Sequence, residues 1–571
     1  RDRRAPHRMG STMNAAIYYV PEAYATDGPK LMGRNAAGAS FLRGYLKHSR
    51  ASAFWSLTES PQHARLFGEA IRKAGRQEPV NSLARTDVKG LTEAGTVFYP
   101  APNIGDLAFR RAMQGQGRWS LCGITHTLSS AGAMDAIASL LTVPVQPWDA
   151  LICTSTVARE AVQRIVEAQA EYLRTRLGAQ KLVLPQLPVI PLGLHADDFV
   201  YSEAQRAGAR EALGANENTL VVLFAGRLSF HAKAHPLAMY QALEQAAQKL
   251  ETGKEVLLIE CGRHSNPAIA GAFAAAARLA CPHVRVLPLD GRQGDNYQQA
   301  WAGADVFCSL SDNLQETFGL TPIEAMAAGL PVVVSDWDGY KDTVRDGVDG
   351  FRIPTLMPEA GLGRDLAMRH AFETDNYDMY CGHTSSLVSV DVEAAAQAFS
   401  QLFASQALRL QLGEAGRQRA REIFDWAAII PRYEQLWAEL ASIRKERVPE
   451  VRAPAHPWPA RMDPFHTFSS FPTQQLTLQA RLELIDSDVE SAERRVLEWR
   501  QLDMVKFALY VQPTPAEVRQ VLQAAAAGPA TAADLVRSVD ASRQPFVLRS
   551  LVWLVKLGVL RLLPVEQPSG R

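Results

Sequence analysis

Short apolar runs rich in β-branched and aromatic residues alternate with longer amphipathic or alanine-rich stretches from about residue 14 onward. This alternation is typical of β-α-β units, in which helices connect the strands of a parallel sheet. A charged helical stretch near residues 202–214 interrupts the pattern, which then starts again. We therefore predict two α/β domains in tandem, since a single sheet would need about a dozen strands. The predicted strands are AAIYYV, SAFWSL, GTVFYP, WSLCGIT, DALICTS and LPVIPLG in the first domain, and TLVVLFAG, EVLLIECG, HVRVLPLD, ADVFCSL, LPVVVSD and GFRIP in the second.

The pattern changes after the second set of predicted strands. Residues 360–390 have little periodicity, which predicts a long loop or insertion, whereas residues 391–447 return to helical spacing. A proline-rich stretch follows and indicates a linker. The last hundred or so residues are mostly helical, and TAADLVRSVDASRQPFVLRSLVWLVKLGVLRLL has the helix, turn, helix and short strand of a winged helix. The predicted boundaries are 14–205 and 206–447 for the two α/β domains, 448–472 for the linker and 473–571 for a helical, winged-helix-like accessory domain.

Composition and charge narrow the function classes. With 571 residues and 47% hydrophobic content, the chain can bury several cores. Lysine plus arginine and aspartate plus glutamate each number 60, so the net charge of zero predicts no nucleic-acid partner. The small basic excess in residues 511–571 favours a docking or self-association module over the alternative of DNA binding. The first thirteen residues, which begin RDRRAPHR without an apolar run behind them, are predicted to be a cloning remnant or a loose tail.

The cysteines and the apolar runs indicate a cellular compartment. Six cysteines are scattered without CxxC spacing, and several lie in apolar runs, which predicts buried thiols in a reducing compartment. The run LVWLVKLGVLRLLPV is broken by Lys556 and Arg561 and falls short of the roughly 18 apolar residues of a spanning helix. We predict no transmembrane segment, and a location in the cytoplasm or peripheral at the membrane.

Candidate chemistry follows the predicted strands of the second domain. In open α/β sheets, ligands bind beyond the carboxyl ends of the strands. Gly226 and Arg227 come directly after the first strand there, and Lys233 follows six residues later. A planar guanidinium fork and a point charge beside a glycine suit a diphosphate. The alternative is that Arg227 and Lys233 are solvated loop charges.

The stretch ETFGLTPIEAMAAGLPVVVSD carries two glutamates, Glu316 and Glu324. Gly319 lets the backbone approach a ligand closely, and the amides at the start of the next helix favour an anion. A carboxylate beside such an anion site suits the hydroxyls of a sugar or a ribose. Thr321 and Glu324 also fit a capping box, with Thr321 as N-cap and Glu324 reaching back to the backbone.

Taken together, these motifs resemble the retaining GT-B glycosyltransferases of the GT4 type. The resemblance rests on Gly226-Arg227 with Lys233, then Glu316 and a second glutamate eight positions later. DALICTSTVARE, VIPLGLHADDF, DGVDGFRIP and FDWAAIIPRYEQLW support it, and it covers about residues 14–440. It implies an α/β, GT-B fold in which two Rossmann-like parallel-sheet domains face a cleft, the first binding the acceptor and the second the nucleotide sugar.

The resemblance also implies roles for single residues. Arg227 and Lys233 would bind the donor diphosphate, Glu316 the transferred sugar and Glu324 the nucleotide ribose, while Gly319 and Leu320 would lend backbone amides. The implied catalytic residues are Glu316, His126 of GITHTLSS, Arg227 and Lys233, although a lone histidine after a strand is equally compatible with a structural role. The implied donor-binding residues are Gly33, Gly226, Arg227, Lys233, Glu316, Phe318, Gly319, Leu320, Thr321 and Glu324.

The chain departs from the family pattern at two glycines. Arg34 occupies the place of a second glycine in the first glycine-rich loop, LMGRNAAG, and Ala234 replaces the glycine after the phosphate-binding lysine. These departures affect the donor and acceptor more than the class of reaction.

The function that the resemblance implies is retaining, metal-independent transfer of a hexosyl group from a nucleotide-diphosphate sugar, with a UDP- or GDP-sugar as donor, an unidentified acceptor and no cofactor. The resemblance thereby implies no compulsory metal ion at the diphosphate. One alternative is another GT-B enzyme, such as a phosphorylase or an epimerase. The other is an inactive sugar-nucleotide-binding scaffold whose C-terminal domain recruits a protein partner.

Overall fold

The computed structural model describes residues 14–24 and 33–564. The chain divides into two compact units between Trp458 and Pro459, a point within the proline-rich stretch. The first unit contains two parallel sheets, and the second contains a small antiparallel sheet with helices.

The first sheet begins the chain. Over the described residues its strands are β1 (Ala16–Tyr19), β2 (Phe54–Thr58), β3 (Val80–Leu83), β4 (Thr96–Phe98), β5 (Ser120–Ile124) and β6 (Ala150–Ile152). They pair in parallel in the order β3-β2-β1-β4-β5-β6. The helices around this sheet are α1 (Pro21–Tyr24), α2 (Gly33–His48), α3 (Pro61–Lys73), α4 (Val88–Ala94), α5 (Gly105–Gln114), α6 (Ala131–Ser139) and α7 (Thr156–Leu177).

One predicted strand of this domain was wrong and one strand was missed. LPVIPLG forms only isolated bridges, from Cys153 to Val189 and, just before it, from Ala150 to Gln186. Prolines 185, 188 and 191 have no N–H to donate to a ladder, which explains why the segment stays irregular. The missed strand is β3, an edge strand whose sequence VNSL lacks an apolar run.

The second sheet repeats the architecture. In the part of the chain that the structure describes, its strands are β7 (Thr219–Ala225), β8 (Glu255–Cys261), β9 (Val284–Leu289), β10 (Val306–Ser309), β11 (Val332–Ser335) and β12 (Gly350–Ile353), parallel and in the order β12-β11-β10-β7-β8-β9. Each strand lies within one of the predicted apolar runs. The helices around it are α8 (Glu203–Ala212), α9 (Leu237–Ala247), α10 (Pro267–Ala280), α11 (Asn296–Gly303), α12 (Leu320–Ala327) and α13 (Tyr340–Thr343).

The segment predicted as a long loop or insertion at 360–390 is helical. It contains α14 (Arg364–Ala371) and α15 (Tyr377–Ser385), and it is framed by the short antiparallel strands β13 (Thr355–Leu356) and β14 (Ser389–Val390). The loop prediction was therefore wrong. Helix α14 buries no residue, so it has little of the apolar face that makes a helix recognisable in a sequence.

The last helices of the first unit connect its two sheets. α16 (Val392–Ala404) and α17 (Gln406–Arg419) lead through a π-helical turn at Ala420–Phe424 into α18 (Trp426–Arg447). Helix α18 packs its apolar face into the core of the first sheet, where Trp426, Tyr433 and Trp437 are buried. The Trp426 ring leaves no space at Gly44 and Gly193, since a Cβ there would lie within 2.4 and 2.5 Å of it. The indole N–H of Trp426 donates to Ser40 Oγ at 2.8 Å, a hydrogen bond that joins α18 to α2.

The second unit is smaller. Its described elements are α19 (Pro464–Thr467), β15 (Arg481–Leu484), α20 (Val489–Trp499), α21 (Asp503–Lys506), α22 (Pro515–Ala525), β16 (Ala530–Thr531), α23 (Ala532–Leu535), α24 (Gln544–Lys556) and β17 (Leu560–Leu562). The strands pair antiparallel in the order β16-β15-β17. Short 3₁₀ turns lie at Ala196–Phe199 and Val448–Glu450 in the first unit, and at Pro459–Arg461 and Leu509–Val511 in the second.

The predicted fold class is confirmed: the first unit has the two parallel Rossmann-like sheets of a GT-B protein, followed by a largely helical C-terminal region. All six cysteines are buried with free thiols. None of the helices in the described ranges combines the length and the apolar character that crossing a bilayer requires.

Candidate functional site

A buried ion pair lies beyond the carboxyl ends of β7 and β10. Lys233 Nζ donates to Glu316 Oε2, and the two side chains are only 16% and 13% exposed. Burial alone would raise the pKa of Glu316, but the Lys233 ammonium and the backbone N–H groups of Thr317 and Phe318 outweigh it and hold the pKa below its ordinary value. Glu316 is therefore an ionised carboxylate, able only to accept hydrogen bonds.

Arg227 lies next to this pair. Its guanidinium donates to the carbonyl of Ala232 and to Gln315 Oε1, both at 3.1 Å, and the side chain is otherwise exposed. The contact with Gln315 joins the loop after β7 to the loop after β10. The structure thus places Gly226, Arg227, Lys233 and Glu316 together at one edge of the second sheet.

Helix α12 begins beside Glu316, two residues earlier than a capping box requires. Gly319 is the N-cap with a φ of 80°, and no side chain caps this end. A Cβ at Gly319 would lie 2.0 Å from the Tyr340 ring, so the turn needs glycine for both conformation and space. Thr321 is already the second helical residue, so the predicted capping box is wrong. The first amides of α12 stay available for a ligand.

Glu324 lies one turn into α12 and is partly buried. Burial raises the pKa of its carboxyl to about 7, and the Lys233 ammonium opposes the rise. Its protonation state therefore changes near neutral pH.

Phe318 and Leu320 flank Gly319. The Phe318 side chain is 2% exposed and its ring packs edge-on against Phe424, with centroids 6.2 Å apart. Of Phe318, the backbone is therefore the part that can contact a donor. Leu320 packs against the hydrophobic core cluster that contains Phe318 and Phe424.

His126 reaches the site from the first sheet. It follows β5, and its Nε2 lies 3.0 Å from the carbonyl oxygen of Pro100. Thr317 Oγ1 donates to the carbonyl of His126 at 2.9 Å, and Ser155 Oγ donates to the carbonyl of Thr317 at 2.8 Å. The His126 loop and the Glu316 loop therefore face each other in direct contact.

Gly33, the remaining predicted donor contact, is the first residue of α2. Residues 25–32, which precede it and include part of LMGRNAAG, lie outside the described residues.

Two buried aspartates were missed from the sequence. Asp312 follows β10 and accepts the backbone N–H of His235 at 3.2 Å, and burial raises the pKa of its carboxyl to about 7. Asp338 follows β11 with a φ of 42°, is 8% exposed, and has an Oδ2 without a hydrogen-bond partner. Burial and the neighbouring Glu316 charge raise the pKa of Asp338. Both come soon after strand ends, so the rule that singled out Glu316 could have found them.

A cavity of 620 Å³ opens beside His126 in the first domain. Its walls include the aromatic residues Tyr18, Phe41, Phe98, Tyr99, Trp426 and Tyr433. Among the described residues, no group of three histidine, cysteine, aspartate or glutamate side chains is arranged to hold a metal ion.

Residues 205–360 match the family model described as glycosyl transferases group 1. This segment is similar to the group 1 glycosyltransferases. It contains Arg227, Lys233, Glu316 and Glu324, whereas His126 lies outside it.

The chain is also similar to curated proteins that are named as glycosyltransferases. The chain is 31% identical over 210 residues to a D-inositol 3-phosphate glycosyltransferase of Xylanimonas cellulosilytica, covering 36% of this chain and 47% of the relative. It is 32% identical over 171 residues to a phosphatidyl-myo-inositol mannosyltransferase of Mycobacterium tuberculosis, covering 30% and 40%. The chain therefore spans less than half the length of these two relatives.

Solved structures with a similar fold include Anabaena HepE in complex with UDP, with 14% identity, a TM-score of 0.48 and coverage of 75% of this chain and 100% of that one. Sucrose-phosphate synthase from Thermosynechococcus elongatus has 17% identity, a TM-score of 0.44 and coverage of 76% and 100%.

Proposed function

We propose that the chain is a retaining glycosyltransferase that moves a hexosyl group from a UDP- or GDP-sugar to an acceptor bound in the first domain. The observation that carries the proposal is the buried Lys233–Glu316 pair within the segment similar to the group 1 glycosyltransferases, beside the N-terminus of α12. A cation for the diphosphate and a carboxylate for the sugar lie there within reach of one ligand.

The diphosphate is bound by positive groups from two loops. Arg227 and Lys233 follow β7, and the amides at Gly319 and Leu320 open α12. Arg227 is exposed, so its guanidinium can exchange its hydrogen bonds to Ala232 and Gln315 for a phosphate. Together these groups offer a fork, a point charge and a helix dipole to the leaving group.

Donor binding adds partners to the ion pair. The Lys233 ammonium has three N–H donors, so it can bind the diphosphate while it stays beside Glu316. Glu316 accepts hydrogen bonds from the hydroxyls of the transferred sugar. Because Glu316 is ionised, it favours a polyhydroxylated group and repels the phosphates. This repulsion determines the orientation of the bound donor, with the sugar at Glu316 and the diphosphate at Arg227 and Lys233.

The reaction breaks the bond between the anomeric carbon and the diphosphate oxygen and forms a bond to the acceptor oxygen on the same face. The sugar passes through an oxocarbenium-like state, while Arg227, Lys233 and the α12 amides stabilise the charge of the leaving group. The departing phosphate takes the acceptor proton, so no side chain has to act as general base. We propose that these cations replace a metal ion at the diphosphate.

The acceptor binds beside His126. The cavity in the first domain opens there, and the contact between Thr317 and the His126 carbonyl brings the acceptor and donor loops together. The acceptors in the relatives' names belong to those proteins, because this chain spans less than half their length.

A ligand panel tests donor recognition. UDP, GDP, ADP, CMP and dTDP are added to the full chain, and the melting temperature is measured. We expect one diphosphate to raise it, since a ligand at a hundred times its Kd stabilises the folded state by about 2.7 kcal/mol. Lys233→Ala should abolish the shift, and the exposed Lys249→Ala should keep it. The absence of a shift with every member of the panel would contradict the proposal.

The affinity for the donor should depend on pH through Glu324. Its raised pKa, about 7, means that the carboxyl gains a proton as the pH falls from 8 to 6 and loses an acceptor site for the ribose. Donor affinity in wild type should therefore fall over this window, and Glu324→Gln should flatten the profile at the lower value. A nucleotide sugar is the suitable ligand, because a terminal phosphate itself titrates near pH 6. The same pH dependence of donor affinity in wild type and in Glu324→Gln would show that Glu324 does not bind the ribose.

A further inference from the structure

Helix α15 lies against loops from both sheets of the first unit. The α14–α15 hairpin is held together by Asp375, which accepts hydrogen bonds from Arg369 Nη2 at 2.7 Å and His383 Nδ1 at 2.9 Å. Whereas α14 buries nothing, α15 buries Cys381, Gly382 and Ser385. The inner helix therefore packs on the body of the unit, and the outer one covers it.

One set of contacts joins α15 to the loop after β5. The Tyr377 hydroxyl lies 2.9 Å from Thr127 Oγ1 and accepts from Ser129 Oγ at 3.4 Å. Cys381 Sγ lies 3.7 Å from the same Ser129 Oγ. Tyr377 is the first residue of the helix, and the side chain of Asn376 caps it by accepting the N–H of Met379. This cap fixes the start of the helix, where the Tyr377 hydroxyl contacts Thr127, the residue directly after His126.

A second contact joins α15 to the phosphate-binding loop after β7. A Cβ at Gly382 would lie 3.0 Å from the Cβ of His231, so the helix sits directly on this loop. Asn313 Nδ2 donates to the carbonyl of His231 at 3.0 Å from the other side. The loop that carries Lys233 is thus the support on which α15 rests.

The His126 loop is consequently held at two adjacent points. Thr317 Oγ1 donates to the carbonyl of His126, and Tyr377 bonds the side chain of Thr127. Both partners belong to the second sheet's domain, one beside Glu316 and one in the helical insertion.

We propose that Tyr377 is a positioning residue that holds Thr127, and through it His126, beside the bound acceptor. The inference rests on the proposed glycosyl transfer. It gives the helical insertion a function in the reaction: it orients the acceptor-side loop while resting on the loop that binds the diphosphate.

Tyr377→Phe removes the hydroxyl and keeps the ring. We expect kcat for nucleotide-sugar hydrolysis or transfer to fall about tenfold, with an unchanged KM for the donor, whose contacts lie on other loops. Tyr380→Phe is the matched control: it removes a phenol hydroxyl from the same helix, where the ring stacks on His370 at 4.2 Å. Its kcat should equal that of wild type.

A double-mutant cycle separates positioning from a general structural role. If Tyr377 acts through His126, adding Tyr377→Phe to His126→Ala should lower kcat no further. Additive losses, or a wild-type kcat in Tyr377→Phe, would overturn the inference. Thr127→Val breaks the same contact from the other side and decides the matter if Tyr377→Phe does not fold. Failure of wild type to turn over any nucleotide sugar would instead refute the proposed function.

Discussion

Lys233→Ala should lower kcat/KM for the nucleotide-sugar donor by about a hundredfold or more, as the loss of one preorganised charge contact to a developing anion does. Lys233 is the less exposed of the two proposed diphosphate cations. Initial rates of nucleoside diphosphate release measure the loss. Lys249→Ala, which removes an exposed lysine of the same domain, should retain wild-type kinetics. A kcat/KM of Lys233→Ala within threefold of wild type would show that Lys233 does not bind the diphosphate.

Glu316→Gln should also lower turnover by about a hundredfold or more. The amide keeps the shape of the side chain but removes the charge that faces the sugar in its oxocarbenium-like state. The substitution also leaves Lys233 buried without its partner, which destabilises the fold. Melting curves are therefore recorded with the kinetics, under conditions where the variant is folded.

The double variant Lys233→Met/Glu316→Gln, compared with Lys233→Met and Glu316→Gln alone, distinguishes the loss of the ion pair from the loss of catalysis. Neutralising both partners leaves no unpaired buried charge, so the melting temperature should exceed that of Glu316→Gln. Turnover of the double variant should stay as low as that of the less active single variant. Recovery of turnover together with stability would show that the pair is only structural.

The predictable part of the fold was the part with local periodicity. Each strand of the second sheet coincides with an apolar run bounded by turn residues, because both faces of a parallel sheet are covered. β3 and LPVIPLG failed for opposite reasons. The former is an edge strand held by β2 despite a polar sequence, and the latter is apolar but lacks the N–H groups of its prolines.

The candidate site divides in the same way. Arg227, Lys233 and Glu316 could be proposed because they follow strands that end at one edge, and the structure brings them together. The contacts of Thr317 with His126 and of Tyr377 with Thr127 join residues about 190 and 250 positions apart. No local pattern predicts such pairs. The start of α12 was misjudged because Gly319 and Tyr340 fix it through a tertiary contact rather than through a side-chain cap.

Release of nucleoside diphosphate from a panel of UDP- and GDP-sugars, followed for wild type and Glu316→Gln, tests the central claim most directly. The account predicts that wild type turns over one donor, with activity that persists in EDTA, and that Glu316→Gln binds this donor while turnover falls about a hundredfold. Saturable binding of a nucleotide sugar without turnover in wild type would contradict the account and favour a binding scaffold. Equal turnover in both proteins would contradict the assignment of Glu316 to the transferred sugar.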